Sequence, residues 1–249
     1  MSGGSVSDAR SRGRVAPRRS GDREPTLSSA LAVPLRERNT LLQAAGYAPL
    51  YRETPLEAPE MADVVRAVKL ILKQHGPKGG AVAVDRRWDI VMANASYTRM
   101  QLLLGPERCP IQPLELTTPP RPNVLPQLFD PEGIRPYITN WDVLARVMLT
   151  RLREEVAWSQ DPAARELLEA VLSSPGVPED WREAHPENSP SPLTPVELSL
   201  PQGRVRLFST ITTLGTPQDI TLRELRIESF HAADEESEQL VQELVASAP

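Results

Sequence analysis

The sequence predicts an α+β fold in which five antiparallel strands carry helices packed on one face. Two observations lead there. Short β-rich runs stand at 81–93, and apolar–polar alternation returns at 196–228, while between them apolar residues recur at a helical spacing. The order is therefore two strands, a block of helices and three strands, which leaves a natural space between sheet and helices.

Residues 1–26 are rich in Gly, Ser and Arg, with Arg10, Arg12, Arg14, Arg18, Arg19 and Arg23 and almost no apolar side chains. Such a stretch cannot bury enough surface to offset its ordering entropy, so a disordered tail is predicted. Its arginines read first as a solvated tail, with sequence-tolerant contact with phosphates as the second reading.

A short linker helix is predicted over 34–46. Pro34 stands near its first turn, Leu35, Leu41, Leu42 and Ala45 form its apolar side, and Gly46 ends it. A Pro-broken connector follows to residue 59. A second helix, 59–75, has Met61, Val64, Val65, Val68, Ile71 and Leu72 at helical spacing and Gly76-Pro77 as its stop. Residues 81–85 and 88–93 form a hairpin turning at Arg86-Arg87, and Asn94 caps a helix running to 104.

Residues 105–126 are Pro-rich and irregular, and Phe129 to Gly133 is a turn. The long helix 140–159 places Leu144, Met148, Leu152 and Val156 at intervals of four, with Val147 beside them. A further helix spans 161–172, and 178–184 makes one more turn. Three strands follow. Val196, Leu198 and Leu200 alternate, Val205, Leu207 and Ile211 share a face, and Leu225 and Ile227 oppose Glu224, Arg226 and Glu228, which predicts one wet face. An acidic amphipathic helix, 234–246, closes the chain.

At 249 residues the chain is long enough for a sizeable core, and its net charge of -5 argues against a protein that mainly coats nucleic acid. The single cysteine, Cys109, permits no intramolecular disulfide and fits a reducing compartment. No signal-peptide pattern and no bilayer-length apolar run is present, so a cytoplasmic protein with no membrane partner is expected.

The residues that carry enzyme chemistry do not assemble into a motif. His75, His185 and His231 are scattered, and Cys109 sits between Arg108 and Pro110 with no histidine nearby. Neither a Gly-x-Ser-x-Gly elbow nor a His-Glu-x-x-His pair occurs. Gly76-Pro77-Lys78-Gly79-Gly80 follows a helix and precedes a strand, the wrong order for a phosphate-binding loop. Glu154-Glu155 and Glu235-Glu236 suit solvated helix faces. The expectation is a non-enzyme with no metal and no cofactor.

Three stretches resemble the MmyB-like bacterial transcription regulators. The first is Val33-Pro34-Leu35-Arg36-Glu37-Arg38-Asn39, continuing from Leu41 to Pro49. The second is Phe129-Asp130-Pro131-Glu132-Gly133-Ile134-Arg135-Pro136 with Asn140-Trp141. The third and most specific runs from Leu207-Phe208-Ser209-Thr210 to Thr221, then Glu224-Leu225-Arg226-Ile227-Glu228-Ser229-Phe230. The resemblance implies a PAS-like sensor, a five-stranded antiparallel sheet with a cavity beneath its helices, acting in transcriptional control through a small ligand. A member of that family is associated with a bound fatty acid. It also implies a division into the tail 1–26, the end of a helix-turn-helix domain with its linker over 27–58, and the ligand-binding domain over 59–249.

Family members carry a five-helix DNA-binding domain before this sensor. Here Leu27 to Val33 resembles only the approach of its last helix, so weak DNA contact, or contact through a partner, is expected. Either the chain is a natural sensor fragment or its start is assigned too far downstream in the reading frame.

An apolar ligand needs a pocket of hydrophobic and aromatic groups with a few polar anchors. With aromatics at 4% of the chain, Trp88, Tyr97, Phe129, Trp141 and Phe208 are the candidate ligand-binding rings, although core packing is the plainer reading of any one of them. Ser209 and Thr213 share strand parity with Leu207 and offer hydroxyls to a ligand, a water or a carbonyl. Asn140 is either a helix cap or a ligand contact. Two functions stay open. One is a sensor domain of a transcriptional regulator that binds an apolar molecule such as a fatty acid. The other is a stand-alone ligand-binding or dimerisation protein, pairing with itself or with full-length relatives.

Overall fold

The structure, a computed structural model, describes residues 33–76, 79–104, 111–159, 161–183, 194–215 and 218–247. The Arg-rich stretch 1–26, residues 27–32, Cys109 and His185 lie outside them. The chain forms two compact units, Met1–Leu50 and Tyr51–Pro249. In the first, helix α1 (Leu35–Ala44) ends at Gly46, whose φ of 81° suits glycine. The Asn39 Oδ1 atom accepts from the Leu50 amide at 2.9 Å and so folds the chain back onto α1.

The second unit begins with the connector. Arg52 bridges to Asp219, Thr54 Oγ1 donates to Asp219 Oδ2 at 2.6 Å, and Leu56 is buried. Helix α2 (Ala62–Gln74) follows, then β1 (Ala81–Val84) and β2 (Ile90–Ala93). The turn between the strands is set by Asp85, whose Oδ1 accepts from the amides of Arg87 at 2.8 Å and Asp89 at 3.0 Å. Trp88 takes the left-handed position, φ 63°, that a bulged hairpin of this length requires.

Helix α3 (Ala95–Leu104) starts at Asn94, which does more than cap it. Asn94 Oδ1 accepts from the amides of Ala81 at 3.0 Å and Tyr97 at 2.8 Å, and its Nδ2 donates to Leu72 O and Gly79 O. One buried amide thus ties α2, β1 and α3 together. A short helix over residues 124–129 was not anticipated. In α4 (Val124–Phe129), Asn123 accepts from the Leu125 amide, and Pro126 stands in the first turn, where a missing N–H costs nothing.

Helices α5 (Trp141–Ser159) and α6 (Pro162–Leu172) make the central helical layer, with Asp161 capping α6. Strands β3 (Val196–Leu200) and β4 (Gly203–Thr213) follow, then a short α7 (Ile220–Glu224), β5 (Arg226–Ala232) and α8 (Glu235–Ser247). The sheet order is β2-β1-β5-β4-β3, every pairing antiparallel. This is the expected α+β, PAS-like arrangement.

The main helical layer covers one face, where Val82, Val84, Leu198 and Val205 meet Leu125, Phe129, Leu149, Leu152 and Val241. Helix α2 covers the other face over β1 and β5, packing Val68 and Leu72 on Ala81, Ala83 and Ile227. The reason lies in Ala81-Val82-Ala83-Val84, which has no polar position and is buried throughout, as a strand covered on both sides must be. Only β3 and β4 keep a wet outer face, with Arg204, Arg206 and Thr210 exposed.

Among the described residues, β2 and the start of β3 have their outward backbone groups occupied. Along β2, Leu114 N donates to Ala93 O, Thr117 N to Val91 O, and Ile90 N to Pro122 O, at 2.7 to 2.9 Å. Along β3, Thr139 N donates to Glu197 O at 2.8 Å while the Asn140 amide spans Pro195 O and the Glu197 N–H. No helix among the described residues is long and apolar enough to cross a membrane.

Candidate ligand cavity

Strand periodicity decides which side chains face the helical layer. Register pairs Leu207 with Val196, Ser209 with Phe230, and Glu228 with both Val82 and Ile211. All of these project to the same face. Helix α5 answers with Leu144, Val147, Met148 and Arg151, spaced as i, i+3, i+4 and i+7 along one stripe. Helix α3 contributes Tyr97, Met100 and Gln101, and α8 contributes Val241.

These elements do not close on one another. They leave a partly open cavity of about 180 Å³ whose wall is mainly apolar. Its polar groups are few: Gln101, Arg151, Thr194, Ser209 and Glu228. Gln101 Nε2 donates to the Tyr97 hydroxyl at 2.9 Å, so these two orient each other. Thr194 Oγ1 is buried without a hydrogen-bond partner. Burial pushes the Glu228 carboxyl above the ordinary carboxylate range, against the opposing pull of the Ser209 hydroxyl and the Arg151 and Arg226 guanidiniums.

One turn beyond Arg151 on α5, Glu155 belongs to a second, separate charge cluster. Arg86 reaches Glu155 at 3.1 Å, Glu224 at 3.4 Å, and Asp161. Arg226 lies 3.8 Å from Glu155.

The model of the MmyB-like transcription regulator ligand binding domain matches residues 64–244. The chain belongs to this family. No curated protein matches it. The MmyB-like match runs from within α2 to within α8, and so takes in the whole sheet and the helices on both of its faces.

Within this MmyB-like domain the eight residues singled out from sequence separate. Tyr97 and Ser209 line the cavity. Phe129 is fully buried core, with Trp141 edge-on at 5.8 Å. Trp141 donates from Nε1 to Leu128 O at 2.8 Å and stacks on Trp181, with Arg135 over its other side at 3.6 Å. Trp88 is core, with Arg226 at 5.4 Å from its ring centre. Asn140 pins the start of β3 to the start of α5. Phe208 is on the outer face of β4, stacked on His231 at 5.1 Å, and Thr213 is exposed at the end of that strand.

Arg151, Thr194 and Glu228 escaped the sequence reading. For Arg151 the signal was present, because it continues the stripe of Leu144, Val147 and Met148. Glu228 was assigned to a wet face, and the structure corrects this. Strand β5 is central and covered on both sides, so Leu225 and Ile227 meet α2 while Glu228 meets the cavity. Ile211 shares the cavity parity, yet it lies beyond the helical cover and is 48% exposed.

Proposed function

We propose that this domain is the sensor of a transcriptional regulator and that its cavity takes an apolar small molecule with an acidic head, such as a fatty acid. The observation that carries the reading is the composition of the wall: apolar side chains from α3, α5, β3 and β4, with one cation, Arg151, among them. An apolar wall favours an apolar body, and a guanidinium in low dielectric favours an anionic head.

The size sets a further expectation. An engineered apolar cavity of about 150 Å³ holds a benzene-sized molecule, so 180 Å³ accepts a short acyl segment as it stands. A longer chain either runs out through the open side of the cavity or moves the helical layer. That movement is how occupancy would reach a DNA-binding partner. In this reading the chain is a receptor and not an enzyme, needs no cofactor, and contacts DNA only weakly by itself.

A ligand that binds only the folded state raises its stability by about 2.7 kcal/mol at a hundredfold excess over its dissociation constant. A thermal-shift series of fatty acids of increasing length on the intact chain tests the proposal. A rise in Tm that peaks at one chain length, and that shrinks in Met148→Ala, is expected. No rise with any amphiphile would overturn it.

A further inference from the structure

Resting on that reading of the cavity, we infer that Glu228 sets its headgroup specificity: an acidic ligand seats its carboxylate on Arg151 beside a Glu228 that carries a proton, so that binding takes up one proton.

Charge balance in this partly open, mainly apolar cavity decides the headgroup. The wall presents one guanidinium, Arg151, and one carboxyl, Glu228, while Gln101, Thr194 and Ser209 are uncharged. Among the described residues Arg151 makes no ion pair within 4 Å. The remaining cation near Glu228 is Arg226, two residues along the same strand, and it is engaged with Glu155 and with the Trp88 ring. Facing Glu228 from the neighbouring strands are Val82 and Ile211, with the Ser209 hydroxyl beside it, and α8 offers Val241. Helix α3 adds the Tyr97 phenol and Gln101, which are bonded to each other.

A ligand carboxylate entering this space meets one guanidinium, Arg151, which acts on Glu228 without forming an ion pair with it, and a second carboxyl. Two carboxylates in one low-dielectric site do not both ionise. The pair therefore holds one proton between them, as coupled acids do. That proton turns Glu228 from a repelling acceptor into a donor toward the ligand. The buried, unpartnered Thr194 hydroxyl lines the same wall and supplies a further donor. A neutral head of the same length brings no second charge and requires no proton. An ammonium head would need Glu228 ionised and would lie against Arg151.

Titration calorimetry of the intact chain with decanoate and with decanol, in buffers of different ionisation enthalpy from about pH 6 to about pH 9, counts the protons directly. Decanoate binding is expected to take up about one proton and to weaken about tenfold per pH unit wherever Glu228 is ionised in the free protein. Decanol should bind with a flat profile. Glu228→Gln should bind decanoate with no proton uptake and a flat profile, and Arg151→Met should lose decanoate while retaining decanol. If Glu228→Gln does not fold, the contrast between decanoate and decanol on the natural chain still decides. Equal, pH-independent binding of both probes, with no proton taken up, overturns the inference and leaves the cavity reading standing. If neither probe binds, the cavity reading itself falls.

Discussion

Arg86, in the turn between β1 and β2, holds Glu155 near the end of α5 at 3.1 Å, and both side chains are less than a fifth exposed. The same guanidinium serves Asp161, the cap of α6, and Glu224 before β5. One cation thus ties the hairpin to α5, to the cap of α6 and to the end of α7 at a single point. Removing it leaves three carboxylates crowded together, with Arg226 beside Glu155 and Arg87 beside Asp161. Arg86→Met should destabilise the fold by at least about 3 kcal/mol, the cost of orphaning buried charge. Arg86→Lys should recover little, because an ammonium cannot fork across three partners. Urea denaturation of both variants checks this, and a near-normal midpoint for Arg86→Met would contradict it.

Asp85 gives a pH dependence of definite sign. Burial, then the neighbouring Asp89, raises its carboxyl above the ordinary range despite the two amides it accepts and the nearby Arg87 charge. The folded chain therefore binds this proton more tightly than the unfolded chain. The group favours folding below its unfolded value, and that contribution is lost as pH rises through the folded value. Asp85→Asn keeps an oxygen for both amides and removes the charge. It should match the natural chain in acid and exceed it in stability near neutral pH. Urea midpoints at the two pH values decide.

Adjacent residues of β4 should behave oppositely toward ligand. Leu207 lines the cavity and Phe208 points away from it, stacked on His231. Leu207→Ala should weaken binding of an apolar ligand about tenfold, which corresponds to roughly 1.4 kcal/mol of lost contact. Phe208→Ala should leave affinity unchanged, whatever it does to stability. Calorimetric titration of both variants with the acid that gives the largest thermal shift measures the difference, and equal losses would mean that the register is misplaced.

Gly79 allows a close approach that no other residue permits. A Cβ there would fall inside contact distance of the Phe230 carbonyl oxygen, on the strand next to β1. Gly79→Ala should cost about 1–3 kcal/mol through overpacking. It should also weaken ligand binding, because Phe230 is part of the cavity wall. A melting temperature equal to that of the natural chain would show that the strand gives way freely.

The fold was legible wherever periodicity alone decides it. Alternation over 196–200 and the four-residue spacing from Leu144 to Val156 each produced the element observed. Faces were harder to assign, because alternation separates two sides of a strand without saying what covers each. Leu225 and Ile227 marked a buried side correctly, yet Glu228 opposite them is enclosed as well. Tyr97 and Ser209 reached the cavity by helix position and strand parity. The other rings satisfied the same sequence criterion but are held by packing that no local pattern encodes: Phe129 beneath Trp141, and Trp88 at a left-handed turn. Short α4 was hidden because Pro126 looks like a breaker until Asn123 is seen to place it in a first turn.

The occupied margins of the sheet restrict how this protein can associate with itself. A strand whose outward N–H and C=O groups are free invites a neighbour's strand, and with it runaway polymerisation. Here the segments around Leu114, Thr117 and Pro122 on one side, and Thr139 with Asn140 on the other, already fill those positions. Among the described residues, continuation of the β-ladder from molecule to molecule is blocked along these stretches. Along those stretches a second copy would meet side chains rather than free backbone groups, and a self-complementary contact of that kind closes at two subunits.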